Sequence, residues 1–227
     1  MITDVIIPAY NEQDAIALVI ADIPKNRIRT IFVADNNSSD LTAEIAQKAG
    51  AEVLTAKKQG YGSACLAGLA KIHSLDSKPD VVVFLDADYS DYPQEMNLLL
   101  DTIETKNADL VIGNRIKEKR EKGAMTPQQI AGNKIASVLI KWLYGFRYHD
   151  LGPFRAVRYE ALVKMNMQDK TYGWTVEMQV KALNHKMKIE QVEVSYRRRK
   201  GFSKISGTVK GTILAGVKII NTIIKYR

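Results

Sequence analysis

Two aspartates separated by a single residue, Asp86 and Asp88, follow the apolar run VVVFL. Carboxylates at this spacing at the end of a strand can share one divalent cation with hard oxygen ligands, Mg²⁺ or Mn²⁺. Such a cation neutralises the charge of a departing nucleotide diphosphate. The same D-x-D pattern is also common in turns and helix caps. The spacing alone leaves the metal site and the turn as alternatives.

Polar residues follow two earlier apolar runs, VII and IFVA. Tyr10 could stack on a nucleobase, Glu12 could accept hydrogen bonds from ribose hydroxyls, and Asp35 could accept one from a base edge. Each segment is equally typical of an ordinary strand-to-helix turn, with Asn11 as a helix cap. The residue types therefore allow a nucleoside site without requiring one.

Glycines and cations offer two ways to bind phosphate. Gly60 and Gly62 precede a helical pattern, where small residues let the backbone approach an anion at the helix N-terminus. The pattern is neither a Walker loop nor a complete G-x-G-x-x-G, so close packing of the helix on a sheet is the alternative. The run RRRK at residues 197–200, and Arg115 after a further apolar run, could bind phosphate through arginine forks or form solvated surface.

The first half of the chain alternates apolar runs with helical patterns, which predicts a three-layer α/β/α fold around a mostly parallel sheet. In such a sheet ligands bind beyond the carboxyl ends of the strands, so the polar segments above are expected to meet at one edge. The strands are predicted at Asp4–Pro8, Thr30–Ala34, Glu52–Thr55, Val81–Asp86 and Leu110–Gly113. The helices are predicted at Gln13–Asp22, Leu41–Ala49, Gly62–His73 and Pro93–Thr105.

The second half of the chain is less regular. The patterns predict a long helix over Gln128–Phe146 interrupted at Gly132, a strand at Phe154–Val157, a helix at Val176–Leu183, an antiparallel strand at Ile189–Arg197 and a helix at Gly207–Lys225. In the first and last of these helices, apolar residues share a face beside lysines: Ile135, Val138, Leu139 and Trp142, then Val209, Ile213, Val217, Ile220 and Ile224. Each face could lie in a membrane surface or pack on the protein's own core.

Charge separates the two halves of the chain. Of 227 residues, 46% are hydrophobic and 26% charged, as in ordinary globular proteins. Residues 1–113 carry 9 Lys and Arg against 17 Asp and Glu, whereas the remainder carries 24 against 8. An acidic half suits a metal and sugar hydroxyls, and a basic half suits phosphates or an anionic surface. A single cysteine excludes an intramolecular disulfide and fits a reducing compartment.

Taken in order, eight motifs resemble the family 2 inverting glycosyltransferases, and within them the dolichyl-phosphate mannose and glucose synthases: VIIPAYNE, VADNNSSD, KQGYGSACLAG, FLDADYSDYP, GNR, DLGPFRAVR, YGWTVEMQVKA and YRRRKGFSKISG. The resemblance implies the GT-A fold, a divalent metal (Mg²⁺ or Mn²⁺), a UDP- or GDP-hexose donor and a polyprenyl phosphate acceptor. Residues 1–227 would form one domain, with a nucleotide-sugar half (1–113) and an acceptor- and membrane-facing half (114–227). We expect a cytoplasmic protein, peripheral at the inner membrane face, with no nucleic acid partner.

Roles for individual residues follow from the residue types and the resemblance together. Nucleotide-binding positions are Pro8, Ala9, Tyr10, Glu12, Asp35, Gly62, Asp86 and Ala87. The resemblance implies metal ligands at Asp86 and Asp88, with Asp91 supplying a further oxygen. It implies phosphate-binding or catalytic roles for Asp88, Arg115, Arg198 and Lys204, the last two with Ser203 in an R-x-x-G-x-S-K element that closes over diphosphate. The acceptor phosphate is expected at Arg115, Lys134 and Ser137.

The class of acceptor decides whether a catalytic base is needed. A polyprenyl phosphate is already anionic at neutral pH, whereas a sugar or other alcohol requires a base. Glu177 falls near the acidic position where family members acting on alcohols keep that base, and Asp150 is the second candidate. Transfer to a hydroxyl acceptor in cell-envelope polysaccharide synthesis is thus one alternative to transfer to a polyprenyl phosphate. Two others are a non-catalytic nucleotide-sugar-binding module and a basic nucleic-acid-binding module.

Overall fold

A computed structural model describes residues 1–201 and 209–227, and the side chains of residues 1–201 and 216–227. The strands of this part are β1 (Thr3–Ala9), β2 (Thr30–Asp35), β3 (Glu52–Thr55), β4 (Val81–Phe84), β5 (Leu110–Arg120), β6 (Arg155–Arg158) and β7 (Ile189–Tyr196). Its helices are α1 (Ile16–Asp22), α2 (Thr42–Lys48), α3 (Tyr61–Ser74), α4 (Met96–Lys106), α5 (Pro127–Tyr144), α6 (Tyr159–Met165), α7 (Trp174–Asn184) and α8 (Val209–Lys225).

The strands form one sheet in the order β3-β2-β1-β4-β6-β5-β7. Four of the neighbouring pairs are parallel, and β6 is antiparallel to both of its neighbours, β4 and β5. The predicted α/β fold with a mostly parallel sheet is therefore confirmed. The prediction of an antiparallel strand at Ile189–Arg197 is wrong, because β7 runs parallel to β5. Its weak alternation reflects a position at the sheet edge and carries no information about direction.

Helices cover both faces of the sheet. Successive side chains of β1 enter opposite layers: Val5 and Ile7 pack with residues of α1 and α4, whereas Ile6 packs with residues of α3 and α7. The same alternation recurs in β4. A strand buried on both faces has no polar side, which is why these runs read as continuously apolar.

Several boundaries differ from the predicted ones. β5 continues to Arg120 because its polar second half pairs with β7 as far as Tyr196. α5 passes through Gly132 without the predicted interruption, and it begins at a capping box in which the Thr126 side chain accepts a hydrogen bond from the Gln129 N–H. The short helix α6 was not predicted. Among the described residues, no helix combines the length and the apolar character needed to cross a bilayer.

The strand register brings three polar segments to one edge of the sheet. The last residue of β1, Ala9, pairs with Asp35 of β2, which in turn pairs with Thr55 of β3. On the other side of β1, Ile6 pairs with Phe84, the last residue of β4. Because parallel strands end at the same edge, the chain that follows β1, β2 and β4 emerges there together.

Candidate active site

A cavity of about 280 Å³, here the first cavity, opens at this carboxyl edge. It is lined by seven residues that the sequence predicted for nucleotide or metal binding: Pro8, Ala9, Tyr10, Glu12, Asp86, Ala87 and Asp88. Its other lining residues are Asn36, Gln59, Gly60, Tyr61, Ala64, Tyr172 and Arg199. Of these, Gly60 belongs to the glycine segment that the sequence offered as an approach to an anion. The cavity therefore gathers segments from the ends of three strands with residues far along the chain.

Three aspartates lie at this edge: Asp88 and Asp91 are buried, and Asp86 is half-buried with its Oδ1 enclosed. Burial, and then the negative charge of Asp88, raise the pKa of Asp86 from 3.8 to about 7. A hydrogen bond with Tyr61 and the charges of Arg115 and Arg199 partly oppose this rise. Burial, and then the charge of Asp86, raise the pKa of Asp91 well above its usual range. Carboxylates with raised pKa values gain stability when a cation arrives, so the edge is electrostatically prepared for one.

The oxygen atoms of these carboxylates fit a divalent cation that takes some of its ligands from the protein and the others from the donor. In the described part of the chain, Oδ1 of Asp86 and both carboxylate oxygens of Asp91 are buried without a hydrogen-bond partner. No group of three or more His, Cys, Asp or Glu side chains among the described residues is arranged as a metal site. Asp91 is therefore not joined to Asp86 and Asp88 in a preformed three-carboxylate site. Mg²⁺ and Mn²⁺ commonly take one or two carboxylates and complete their shell with substrate phosphates and water.

Asp35 and Gly62 do not border the first cavity. Asp35 is buried, and its Oδ2 accepts a hydrogen bond from the Ser38 N–H at 3.3 Å. The Gly62 N–H donates to the Thr171 carbonyl, and a Cβ at Gly62 would lie 2.0 Å from the Asp169 carbonyl oxygen. Gly62 thus allows two backbone segments to pack closely, which was the alternative role that the sequence offered, and its contact with the nucleotide remains a prediction. A base contact by Asp35 remains a prediction.

Asn36 organises the glycine segment that forms one wall of the first cavity. Its Oδ1 accepts a hydrogen bond from the Gly60 N–H at 2.6 Å, and its Nδ2 donates to the carbonyls of Ala56 and Lys58. Gly60 has a φ of 129°, a conformation that favours glycine.

The three consecutive arginines after β7 point to three different places. Arg197 stacks on Tyr89, with its guanidinium carbon 3.3 Å from the ring centre. Arg198 donates to the Lys122 carbonyl at 2.8 Å and does not line the first cavity, which differs from the sequence expectation. Arg199 enters the cavity instead. Ser203 and Lys204, the remaining members of the predicted phosphate element, lie outside the described residues.

A second cavity, of about 410 Å³, lies beside β5 and α5. It contains all three predicted acceptor-phosphate residues, Arg115, Lys134 and Ser137. Arg115 forms a bidentate ion pair with Asp150, with distances of 2.6 and 2.8 Å. In addition to Arg115 and Lys134, four further cations line the cavity: Lys117, Arg120, Lys141 and Arg147. The sequence predicted no phosphate contact for these four, because they come from β5, α5 and the segment after α5, and it marked Lys141 only as a lysine beside the apolar face of the helix.

Exposed apolar side chains border the second cavity. Val138 lines the cavity and is 59% exposed, and on the same helix Trp142 is 78% exposed. α8 packs against α5 through a hydrogen bond from the Tyr144 hydroxyl to the Ile223 carbonyl. α8 presents further exposed apolar residues: Val217, Ile220 and Ile224. Ile135 is exposed as well, while Val209 and Ile213 have no described side chain. Among the residues with described side chains, these exposed residues are not covered by the protein's own core, whereas Leu139 of α5 packs against it.

Glu177 lies in neither cavity. Its side chain is fully buried, forms a 2.6 Å ion pair with Lys181 and accepts hydrogen bonds from the N–H groups of Gln168 and Asp169. The Tyr226 hydroxyl donates to it as well, at 2.9 Å. All of its acceptor capacity is used to hold α7, α8 and the segment between α6 and α7 together. The sequence expectation of a catalytic base at this position is therefore not supported by the geometry.

A mostly parallel α/β sheet with a D-x-D pair in a cavity at its carboxyl edge defines a nucleotide-diphospho-sugar transferase domain. The chain belongs to glycosyltransferase family 2, whose model "Glycosyl transferase family 2" matches residues 4–165. The predicted family is thus confirmed.

Two relatives illustrate the similarity in sequence. The chain is 34% identical to a dolichyl-phosphate hexose transferase of Haloferax volcanii, over 98% of this chain and 94% of that protein. It is 29% identical to a polyprenol monophosphomannose synthase of Mycolicibacterium smegmatis, over 91% and 82% of the two chains. In both cases nearly the whole chain is aligned.

A solved structure confirms the GT-A fold. Glucosyl-3-phosphoglycerate synthase from Mycobacterium tuberculosis, in complex with phosphoglyceric acid, superposes with a TM-score of 0.78 at 20% identity. The superposition covers 99% of this chain and 79% of that one. The same protein has been solved with Mn²⁺, uridine diphosphate and glucosyl-3-phosphoglycerate.

Proposed function

We propose that this glycosyltransferase transfers a hexose from a nucleotide-diphospho-sugar to a polyprenyl phosphate, as a peripheral protein at the cytoplasmic face of a membrane. The observation that carries the proposal is the second cavity, which combines cations for a phosphate with an exposed apolar border for a lipid chain. The names of the Haloferax and Mycolicibacterium relatives agree with such an acceptor.

Six Lys and Arg side chains line the second cavity against two carboxylates, Glu118 and Asp150. This excess of positive charge favours a phosphate, which accepts charge-assisted hydrogen bonds from Arg and Lys. Within the described residues, the Ser137 hydroxyl oxygen is buried without a hydrogen-bond partner. A buried hydroxyl that lacks a partner is costly, so a phosphate oxygen at this position would satisfy it.

The border of the second cavity suits a lipid surface. Trp142 and Val138 project from α5 beside Lys134 and Lys141, the arrangement of a helix that lies in the interface between lipid headgroups and acyl chains. Exposed lysines then contact anionic headgroups while the apolar side chains enter the acyl region. A polyprenyl phosphate held in that membrane would present its phosphate to the cavity. The free, buried Cys65 fits the reducing cytoplasmic side.

In the proposed reaction, an oxygen of the lipid phosphate attacks the anomeric carbon of the hexose. The bond between that carbon and the diphosphate oxygen breaks, and the configuration inverts. Because the attacking phosphate is already anionic, the protein needs to supply position and charge rather than a base. Arg115 is suited to the junction of the two cavities, because it lines the second and its charge also acts on Asp86 and Asp91.

Asp86 and Asp88 are the residues that would hold the divalent cation. When bound, this cation supplies positive charge against the departing nucleotide diphosphate. Tyr10 and Glu12 border the same cavity, where they are suited to a nucleobase and a ribose. A transfer assay that compares UDP- and GDP-hexoses identifies the nucleotide and the hexose.

A hydroxyl acceptor is disfavoured because neither candidate base is suited to the task. Glu177 is buried away from both cavities. Asp150 lines the second cavity, but its pKa is lowered: burial raises it, whereas the ion pair with Arg115 and backbone hydrogen bonds lower it by more. A carboxylate with a lowered pKa is a weak base.

A soluble phosphorylated acid is a second acceptor candidate, since the cationic cavity would also suit such an anion. The M. tuberculosis structure that contains phosphoglyceric acid motivates this candidate. The exposed apolar border of the second cavity separates the two candidates, because a soluble acid has no use for it.

The test is a transfer assay with each donor against each acceptor in the presence of Mn²⁺. UDP- and GDP-hexoses are combined with polyprenyl phosphate in anionic vesicles, with 3-phosphoglycerate, or with an alkyl glycoside. We expect a glycosyl-phosphate lipid as the product, and no activity when Asp88 is changed to Asn. Transfer to 3-phosphoglycerate or to the glycoside, without transfer to the lipid phosphate, would refute the proposal.

Two matched variants test the acceptor site itself. Lys134→Met should raise the KM for the lipid phosphate about tenfold, the loss expected for one charge-assisted hydrogen bond, with little change in the donor KM. Lys164→Met, at an exposed lysine of α6 outside both cavities, serves as the control. Equal effects of the two substitutions would argue against a specific phosphate contact.

A further inference from the structure

The Arg199 side chain lines the first cavity and lies between Glu12 and Asp88, two residues that are suited to different parts of the donor. Its Nη2 lies 3.0 Å from Oε1 of Glu12 and 3.3 Å from Oδ2 of Asp88. Glu12 follows β1 and is suited to a ribose, whereas Asp88 follows β4 and is suited to the metal. One guanidinium therefore joins the nucleoside and metal parts of the site.

The backbone around Arg199 is fixed to the loop that carries the D-x-D pair. The Lys200 N–H donates to the Asp88 carbonyl, and the Arg197 N–H donates to the Ser90 carbonyl, both at 2.9 Å. The Arg197 side chain is stacked against Tyr89 and also lies 4.2 Å from the Tyr92 ring centre. Because the flanking residues are held in this way, the Arg199 side chain can change partner without a displacement of the segment that carries it.

The Arg199 guanidinium has an unused donor. Among the described residues, its Nε is buried without a hydrogen-bond partner, although the side chain as a whole is 31% exposed. An arginine fork binds phosphate oxygens in pairs, through Nε and one terminal nitrogen together. A nucleotide diphosphate would satisfy Nε and would compete with Asp88 for the terminal nitrogen.

We infer that Arg199 is a positioning residue that makes the binding of the divalent cation and of the nucleotide diphosphate depend on each other. The guanidinium holds Asp88 until a diphosphate takes it over, and Asp88 is then available to the cation. A guanidinium and a divalent cation cannot share one carboxylate oxygen at close range without strong repulsion. The cation therefore binds weakly by itself and tightly with the nucleotide. This inference rests on the proposed function for the identity of the nucleotide ligand.

The experiment measures the affinity for Mn²⁺ directly, from the electron paramagnetic resonance signal of the free ion, with and without UDP or GDP. Arg199→Met should bind Mn²⁺ alone about fivefold more tightly than the wild type, the worth of a partly exposed ion pair. The same variant should gain much less affinity for Mn²⁺ on addition of nucleotide. Arg199→Lys keeps the positive charge and should restore weak binding of Mn²⁺ alone.

Arg27→Met is the matched control, because Arg27 also pairs with two carboxylates, Asp101 and Glu104, but at the surface and outside both cavities. It should leave the Mn²⁺ affinity unchanged. If Arg199→Met binds Mn²⁺ alone no more tightly than the wild type, the inference is overturned. If the wild-type protein binds Mn²⁺ but neither UDP nor GDP, the proposed donor is overturned instead. The affinities of the wild type and of Arg199→Met for Mn²⁺ alone would then still show whether Arg199 competes with the cation for Asp88.

Discussion

Replacing Asp86 by Asn should stabilise the protein, although the residue belongs to the proposed catalytic centre. The Asp86 carboxylate lies partly enclosed beside Asp88, and its pKa is raised to about 7 from 3.8. Since the folded chain holds this proton more tightly than the unfolded chain, stability is lost as the pH rises from about 4 to about 7. Asn is neutral at every pH, has a similar shape and can still accept a hydrogen bond from Tyr61.

The size of this effect follows from the two pKa values. Each pH unit between the two pKa values costs about 1.4 kcal/mol of unfolding free energy. Relative to low pH, the titration of Asp86 therefore lowers the unfolding free energy by about 1.6 kcal/mol at pH 5 and by about 4 kcal/mol at pH 9. Asp86→Asn should therefore be more stable than the wild type, by an amount that grows by about 2.5 kcal/mol between these pH values.

The measurement is urea denaturation at pH 5, 7 and 9, followed by tryptophan fluorescence. Trp174 is a suitable reporter because it is buried and its ring lies 6.0 Å from Phe84, the last residue of β4. Asp14→Asn, at an exposed aspartate, is the control. If the difference between Asp86→Asn and the wild type does not grow with pH, the pKa of Asp86 is not raised in the folded protein, and the reasoning from its burial and from the charge of Asp88 is refuted.

Three further outcomes are expected. Activation by Mn²⁺ should weaken up to about tenfold per pH unit below pH 7, because protons compete with the cation for Asp86; a pH-independent activation constant would contradict this. Gly62→Ala should lower the unfolding free energy, measured in urea, by about 1–3 kcal/mol, because the added Cβ would meet the Asp169 carbonyl. Gly132→Ala, in open space on α5, should instead raise the unfolding free energy by about 0.5–1 kcal/mol. Glu177→Gln should destabilise the fold by about 3 kcal/mol and leave the KM for both substrates unchanged in the folded fraction; a selective loss of turnover would restore Glu177 as a catalytic base.

The parts of the site that could be predicted from the sequence are those that follow a buried strand. Polar residues directly after apolar runs, such as Tyr10, Glu12 and Asp88, must emerge at the carboxyl edge of a parallel sheet, so their common location follows from the fold class alone. Their assignment to one cavity needed no knowledge of side-chain packing.

The parts that could not be predicted depend on direction and on distant packing. The RRRK segment follows β7 as irregular backbone, so no strand or helix period could tell that Arg199, rather than Arg198, enters the first cavity. Glu177 lies on α7, where the fold also buries the polar side chains of Gln179 and Lys181, so the sequence pattern of this helix does not show that the Glu177 carboxylate is enclosed. The cations of the second cavity come from β5, α5 and the segment after α5, which only the folded chain brings together.

The second cavity also has a consequence for how such a protein can change its acceptor. β5 and β6 are adjacent antiparallel strands, and the connection between them contains α5 and most of the residues that line this cavity. This connection contacts β5, α7 and α8, whereas the nucleotide-binding edge is built by β1, β2 and β4. If the acceptor binds in the second cavity as proposed, replacing the connection together with its contacts would redirect the sugar to another recipient and would spare that edge.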